Sequence, residues 1–322
     1  MHPHFLILLL ALVLDRMVGD PQWLWQRLPH PTVLFGKAIE HLERRFNRPG
    51  SSPYLKRRDG FAVMLALLIA SGLAGLILHW LFRRLDIAGL VAEAVIVSVF
   101  LAQKSLADHV SAVARALKSG GLLEGRQAVS MIVGRDPEQL DEAGVCRAAI
   151  ESLAENASDG VVAPALWYLA AGLPGLLAYK MLNTADSMIG HMSDRYRDFG
   201  RAAAKLDDAA NWIPARLTGA LIASAALACL GVSRGRTAFS AMMRDSRLHR
   251  SPNAGWPEAA MAGALGLALG GLRKYGADFV NEPGLHGAGV RCAGAGDVNA
   301  ALSIFWAAMT QLTMLTGFFA IL

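Results

Sequence analysis

Four blocks of the sequence gather the residue types that handle carboxylate and phosphate chemistry. In Glu151-Ser-Leu-Ala-Glu155-Asn156-Ala-Ser-Asp159-Gly160 the carboxylates stand at i, i+4 and i+8. On a helix they share a face, where like charges repel. A cation, either Mg²⁺ or a basic side chain, would relieve them; a solvated acidic face is the plainer reading. A second block runs from Lys180 through Asn183, Asp186, Ser187 and Gly190 to His191. Its oxygens suit Mg²⁺, which takes one or two carboxylates together with substrate phosphate. His191 reads either as a general base or as a surface residue.

The third block, Phe199 to Arg216, adds Asp207 and Asp208 and the cations Arg201, Lys205 and Arg216. Those cations also suit simple anchoring at a membrane edge. The fourth holds Arg244, Arg247, His249 and Arg250 beside Ser251-Pro-Asn253-Ala-Gly255, with Pro257-Glu258 opening a helix. Arginines near a helix N-terminus make an anion site, and phosphate is the natural anion; a basic loop under lipid headgroups is the alternative. Gly19-Asp20-Pro21, His30-Pro31-Thr32 and Gly294-Ala-Gly296-Asp297 are weaker polar features. No nucleotide loop of the GxxxxGK[ST] type occurs, nor a GxSxG, an HExxH or a zinc spacing.

These blocks must be positioned by membrane helices. Of 322 residues 54% are hydrophobic and only 18% charged, and the mean hydropathy is +0.36. Soluble domains carry less apolar and more charged sequence. The net charge of +5 fits positive-inside loops. No basic stretch is interleaved with aromatics, which argues against nucleic acid. Cys146, Cys229 and Cys292 lack metal spacing and point to a reducing compartment. Phe5–Leu14 reads as an anchor.

A span needs about 20 apolar residues. Phe61–Leu81 and Ala88–Ala102 form a hairpin split by Arg83, Arg84 and Asp86. Leu217–Val232 and Val298–Leu322 read as further spans, and Glu258–Leu272 as a small-residue helix that permits close packing. Val161–Leu182 is broken by Gly172-Leu-Pro-Gly175 and reads either as one span, with polar loops on both faces of the membrane, or as a re-entrant pair of half-helices at 161–182, which would put Gln103–Gly160 and Asn183–Arg216 on one side. Leu106, Val110, Val113 and Leu117 recur at helical spacing. Asp136-Pro137 reads as an N-cap and first residue of the next helix. The fold class is all-α, a polytopic membrane protein with long helical loops. No domain boundary shows within 1–322.

The chain resembles the CobD/CbiB family at Asn183-Thr-Ala-Asp-Ser-Met-Ile-Gly190, Tyr196-Arg-Asp-Phe-Gly200, Leu206-Asp-Asp-Ala-Ala-Asn-Trp-Ile-Pro-Ala-Arg-Leu217 and His249-Arg-Ser-Pro-Asn-Ala-Gly-Trp-Pro-Glu258. The Glu151–Pro164 block and Leu14-Asp-Arg-Met-Val-Gly-Asp-Pro21 follow the same pattern. His191 and Arg16 depart from it, standing where an aromatic and an apolar residue are usual. The resemblance covers nearly the whole chain, in order. It implies an inner-membrane, multi-pass adenosylcobinamide-phosphate synthase. Such an enzyme joins a propionate carboxylate of adenosylcobyric acid to the amine of (R)-1-aminopropan-2-ol phosphate. ATP coupling through an acyl phosphate, with Mg²⁺, is the expected driving force. The expected partners are the corrinoid, the amino-alcohol phosphate, membrane lipid and later cobalamin-assembly enzymes.

Roles follow from chemical type. Asp186, Asp207, Asp208, Glu151, Glu155 and Asp159 are the carboxylates for ATP or its metal. Of these, Glu151, Glu155 and Asp159 are assigned to the metal. Asp186, Asp207 and Asp208, with Asn183 and Lys180, are assigned to catalysis. Arg244, Arg247, His249, Arg250, Ser251 and Asn253 are assigned to phosphate, with Arg195, Arg201 and Arg216 as second choices. A transporter of a phosphate-bearing or corrinoid molecule is the rival. It would place charges inside spans, whereas between Phe61 and Leu182 only Glu93 and Lys180 lie within the apolar runs. A non-catalytic membrane sensor would not need these charged blocks.

Overall fold

The computed structural model describes residues 3–134, 136–275 and 278–322. The chain begins with α1 (Pro3–Val18), α2 (Gln22–Trp25) and α3 (Pro31–Phe46). The hairpin α4 (Pro53–Phe82) and α5 (Asp86–Val99) follows, then α6 (Gln103–Val129) and α7 (Glu142–Ala157). A π-helical turn, Ser158–Val162, leads into α8 (Ala163–Ile189), α9 (Arg201–Ala210), α10 (Trp212–Leu230), α11 (Val232–Asp245) and α12 (Gly255–Leu265). A β-hairpin, β1 (Leu269–Tyr275) and β2 (Asp278–Leu285), precedes α13 (Ala295–Ile321). The protein is thus essentially all-α. Among the described residues five helical runs are long and apolar enough to cross a membrane: Pro53–Phe82, Asp86–Val129, Glu142–Ile189, Trp212–Leu230 and Ala295–Ile321.

The chain packs into two compact units. The first comprises Met1–Ala102, Ala163–Asn211 and Thr316–Leu322. Its centre is α4, begun by Ser52, whose hydroxyl accepts from Leu55 N at 3.4 Å, and by Pro53 in the first turn. One face of α4 exposes Phe61, Leu65, Ile69, Leu73, Leu76 and Trp80, the apolar surface expected against lipid. The opposite face packs on α8 and α9 through Val63, Met64, Leu67, Met181, Leu182 and Ala185. Gly75 lets the backbones touch: a Cβ there would lie 2.6 Å from Pro174 N.

The break foreseen in Val161–Leu182 falls at Ala171–Gly172, and Gly172 has φ 62° and ψ −151°. Residues 12 apart on a straight helix are separated by about 18 Å along the axis. Here the Trp167 and Tyr179 rings stack 6.4 Å apart with planes 12° off parallel. The two arms of α8 therefore close on each other around the break.

Polar side chains surround that corner. The buried Glu93 carboxylate accepts from Tyr168 OH at 2.8 Å and faces His79 Nδ1 at 3.2 Å. The His4 ring lies 5.4 Å from Tyr168 and 6.0 Å from His79. These four residues join α1, α4, α5 and α8 where the backbone of α8 is interrupted. Interrupted backbone at membrane depth is tolerated only where protein or trapped water surrounds it.

The second unit comprises Gln103–Val162 and Trp212–Leu315. On α6, Leu106, Val110, Val113 and Leu117 are buried, as their spacing predicts. The next helix begins later than expected. Asp136 Oδ1 accepts from Glu138 N at 2.9 Å in a local turn, and the true N-cap is Asp141, whose Oδ1 accepts from Gly144 N at 2.6 Å. Asp-Pro suits both a cap and a turn, and the turn won.

α10, α11 and α12 pack against one another. The helix expected over Glu258–Leu272 stops at Leu265, because Gly266 takes the left-handed conformation and Leu267 N returns to Ala262 O at 3.0 Å. Leu269–Leu272 instead enters β1, a strand the sequence reading missed.

Candidate functional site

Each unit carries one of the chemical groupings. In the first unit the acidic residues collect where the last turns of α8 meet α9. Asp186 lies one turn after Asn183, and its carboxylate occupies the space over Gly190, where a Cβ would sit 2.0 Å from Asp186 Oδ1. The chain then returns through Gly200, whose Cβ would lie 1.6 Å from Ile189 O. This is why glycine closes both the Asn183–Gly190 and Tyr196–Gly200 motifs. The return brings Asp207 and Asp208 into electrostatic range of Asp186.

Asp207 is the buried member of the group. Its Oδ2 accepts from Asn211 Nδ2 at 2.8 Å, and Asn211 Oδ1 accepts from Tyr179 OH at 2.9 Å. Trp167 braces this line from the other arm of α8, stacking on Tyr179 and donating Nε1–H to Ala210 O at 3.2 Å. Asp207 Oδ1 is buried, and among the described residues no donor reaches it with good hydrogen-bond geometry, although the Asn183 amide is close. Burial first, and then the charge of Asp186, push the Asp207 carboxyl up to about 7; Asn211 and Asn183 oppose the rise. Burial also raises Asp208. Lys180 lies one turn before Asn183 and in electrostatic range of His30. His30 Nε2 sits 3.8 Å from Asp20. His191 and Arg201 are exposed at the margin. Arg195 is engaged elsewhere: its guanidinium grips Glu43 with Nε and Nη2 at 2.9 and 2.8 Å.

The second unit carries the basic loop. Arg216 lies between two indoles, 4.0 Å from the Trp212 ring and 4.4 Å from that of Trp256, so its charge is held by stacking. Arg244 forks onto Asp245 with two contacts of 2.7 Å and holds that carboxyl below its usual range, so much of its charge is spent within the protein. Arg247 and Arg250 are exposed.

The remaining residues of this block build the loop. His249 Nδ1 accepts from Ser251 N at 3.0 Å, and His249 Nε2 lies 3.6 Å from the buried Glu258 carboxylate. Ser251 Oγ accepts from the amides of Asn253 and Ala254, both at 3.2 Å. Asn253 is buried. Gly255 lets the loop close: a Cβ there would lie 2.2 Å from Ser246 O and 2.6 Å from His249 Cβ. Of the residues assigned to phosphate, then, His249, Ser251 and Asn253 shape the loop, and Arg216, Arg247 and Arg250 are its outward cations.

Glu151 and Glu155 keep their i, i+4 spacing on α7, but Asp159 does not continue that face. α7 ends at Ala157, and the wider π turn shifts Asp159 out of register. Glu151 is buried and accepts from Gly270 N at 2.8 Å, while Glu155 is exposed. Among the described residues no three His, Cys, Asp or Glu side chains are grouped to hold a metal ion. Sequence reasoning gave no role to Tyr179 or Asn211. The i, i+4 spacing of Asp207 and Asn211 was the available signal.

A family model described as CobD/Cbib protein matches residues 8–305. The cobalamin biosynthesis protein CobD of Brucella anthropi is 61% identical over 308 residues, covering 96% of this chain and 94% of that protein. The protein of the same description from Rhizobium meliloti is 57% identical over 308 residues, with the same coverage. That of Rhodobacter capsulatus is 46% identical over 316 residues, covering 98% and 97%. No solved structure matches. A family model that covers the acidic cluster, the basic loop and the helices carrying them, with relatives aligned nearly end to end, establishes that the chain belongs to the CobD/CbiB family.

Proposed function

We propose that the protein serves cobalamin biosynthesis in the inner membrane as an ATP-dependent acid–amine ligase. It would join (R)-1-aminopropan-2-ol phosphate to a propionate carboxylate of adenosylcobyric acid, giving adenosylcobinamide phosphate. The observation that carries this reading, beside the family, is Asp207. An amine reaches the site at neutral pH as ammonium and must lose a proton before it is a nucleophile. A carboxylate beside Asn183 with a proton affinity near neutrality suits that task.

In the proposed reaction the corrinoid carboxylate attacks the γ-phosphorus of ATP, giving an acyl phosphate and releasing ADP. The free amine, its proton passed to Asp207, attacks the acyl carbon, and inorganic phosphate leaves. Asn183 and Lys180 lie on the α8 turns beside Asp186 and would orient the reacting groups. In the second unit, taken by itself, Arg216, Arg247 and Arg250 are cations of the kind that bind a phosphate ester. A metal site made by the protein alone does not fit the described residues. Magnesium on this reading travels with the nucleotide's phosphates, and no step is assigned to it.

The test uses purified protein in detergent with adenosylcobyric acid, aminopropanol phosphate and Mg·ATP, with the product followed by mass. We expect the mass of the amide, its loss in Asp186→Ala and a marked fall without ATP. Condensation undiminished without ATP would discard the acyl phosphate. No amide from folded protein would discard the ligase.

A second prediction concerns the proton. Asn211→Ala removes a hydrogen bond that holds the Asp207 carboxyl down. The Asp207 pKa then rises above about 7, and the acidic limb of kcat/KM moves to higher pH. A limb that stays in place would remove Asp207 from the titration.

A further inference from the structure

We infer that α10 does not cross the membrane: α10, α11, α12 and the base of the β-hairpin form a water-exposed bundle, with both ends of α10 facing one aqueous compartment. By length and composition alone Trp212–Leu230 qualifies as a span. Its neighbours in the same unit do not.

α11 runs antiparallel along α10. The turn is made at Gly231, with φ 90°. Gly235 then rests on Leu227, with a Cβ position 2.6 Å from Leu227 Cβ. Further along, Gly219 faces Met242, with a Cβ position 2.7 Å from Met242 Sδ. The two helices therefore lie at one depth over most of the length of α11. Yet α11 exposes Ser233, Arg234, Arg236, Ser240 and Arg244, with Val232, Phe239 and Met243 exposed beside them. A span through hydrocarbon beside α10 would carry α11 in with it, and Arg236 lies within one turn of the middle of α11. Charges at that depth are rare and face a protein interior or a water-filled cavity.

The second observation is independent of charge. Extended backbone lies along the same bundle. At one end of α11, Gly266 stands over Arg234, with a Cβ position 2.5 Å from Arg234 Nη1. At the other end, His286 N donates to Asp245 Oδ2 at 2.8 Å. Between those points Leu269 pairs with Leu285 as the base of the β-hairpin. A two-stranded sheet and its connections leave strand edges open, and open edges do not occur against lipid. One face of α10, with Ala215, Leu221, Ile222, Ala225 and Ala226 buried, packs against its neighbours in the unit, and that packing accounts for much of its apolar composition. If the basic loop takes a phosphate ester, a step that rests on the function proposed above, the ester enters from water and not by way of the bilayer.

The test needs no substrate. Cys146, Cys229 and Cys292 are replaced, and single cysteines are introduced by Ser233→Cys, Ser240→Cys and Leu248→Cys in the full chain. Sealed vesicles of both orientations are treated with a membrane-impermeant maleimide, and folding is checked by a monodisperse elution profile in detergent. We expect Ser233→Cys and Leu248→Cys to label from the same face, and Ser240→Cys to label without detergent. Labelling of the first two from opposite faces, or a Ser240→Cys that reacts only after detergent is added, overturns the inference. If Leu248→Cys fails to fold, Arg250→Cys reports on the same end.

Discussion

Asp207→Asn is expected to lower kcat for amide formation by about 10² to 10⁴-fold, the range supplied by a positioned general base. KM for the amine should change little. Asparagine keeps the shape of the side chain and can still accept from Asn211 Nδ2, now at 2.8 Å, but it cannot take a proton. The wild-type profile should show kcat/KM rising with pH through about 7, where the Asp207 carboxyl ionises, and the variant should lose that limb.

Stability should move the other way. Burial raises the Asp207 pKa from 3.8 to about 7 in the folded protein, so the folded state binds a proton more tightly than the unfolded chain. The protonated form favours folding. That contribution is complete below the unfolded value and is lost as pH climbs through the folded value. At pH 8 the wild type therefore bears the cost of a buried, ionised carboxylate, and Asp207→Asn does not. Its unfolding midpoint should lie above that of the wild type at pH 8, and the gap should narrow as pH falls below the folded value and close only below the unfolded value of 3.8. Lost turnover with raised stability marks a functional group held against its own solvation. A folded Asp207→Asn protein with unchanged kcat would end the general-base assignment.

What the sequence made legible follows the strength of the physical signal. α4 was readable because a long apolar run has few other fates. The buried face of α6 was readable from period alone, through Leu106, Val110, Val113 and Leu117. The break in α8 was readable because Gly172-Leu-Pro-Gly175 concentrates two helix-breaking residue types in an apolar stretch.

Failures occurred where one local sequence serves two structures. Asp136-Pro137 could begin a helix or make a turn. Glu258–Leu272 has a helical composition, yet the left-handed Gly266 stops the helix. Glu151, Glu155 and Asp159 share a face only if the helix stays regular, and the π turn at Ser158–Val162 spoils the register. Within the candidate site the carboxylates were found by type. The Tyr179–Asn211–Asp207 line was not, because Tyr179 is brought to Asn211 by the packing of α8 on α9 and no sequence spacing encodes that contact. In the basic loop His249, Ser251 and Asn253 were assigned to phosphate by type, and the structure shows that they also hold the loop together, a role no sequence spacing encodes.

Gly172→Val should test how far the acidic cluster depends on the corner of α8. Gly172 has φ 62° and ψ −151°, a region open essentially to glycine alone, where another residue costs about 1–3 kcal/mol. Valine is the hardest case, because its branched Cβ restricts the backbone further. Space is also short: a Cβ on Gly172 would sit 3.3 Å from His4 Nε2. The corner sets the angle between the two arms of α8, and that angle brings Trp167 onto Tyr179 and Ala210. Opening it would release Tyr179 from Asn211, and with it the donor on Asp207. We expect Gly172→Val to lower the unfolding midpoint and to cut turnover by at least about tenfold, the equivalent of 1.4 kcal/mol. Gly172→Ala should fall between valine and wild type. In a background with the other six tryptophans replaced by phenylalanine, Trp167 is the internal reporter: its fluorescence should shift when the stack on Tyr179 opens, whereas a purely local strain at Gly172 would leave it unchanged. A variant that keeps wild-type fluorescence, midpoint and turnover would show that the cluster is held without the corner.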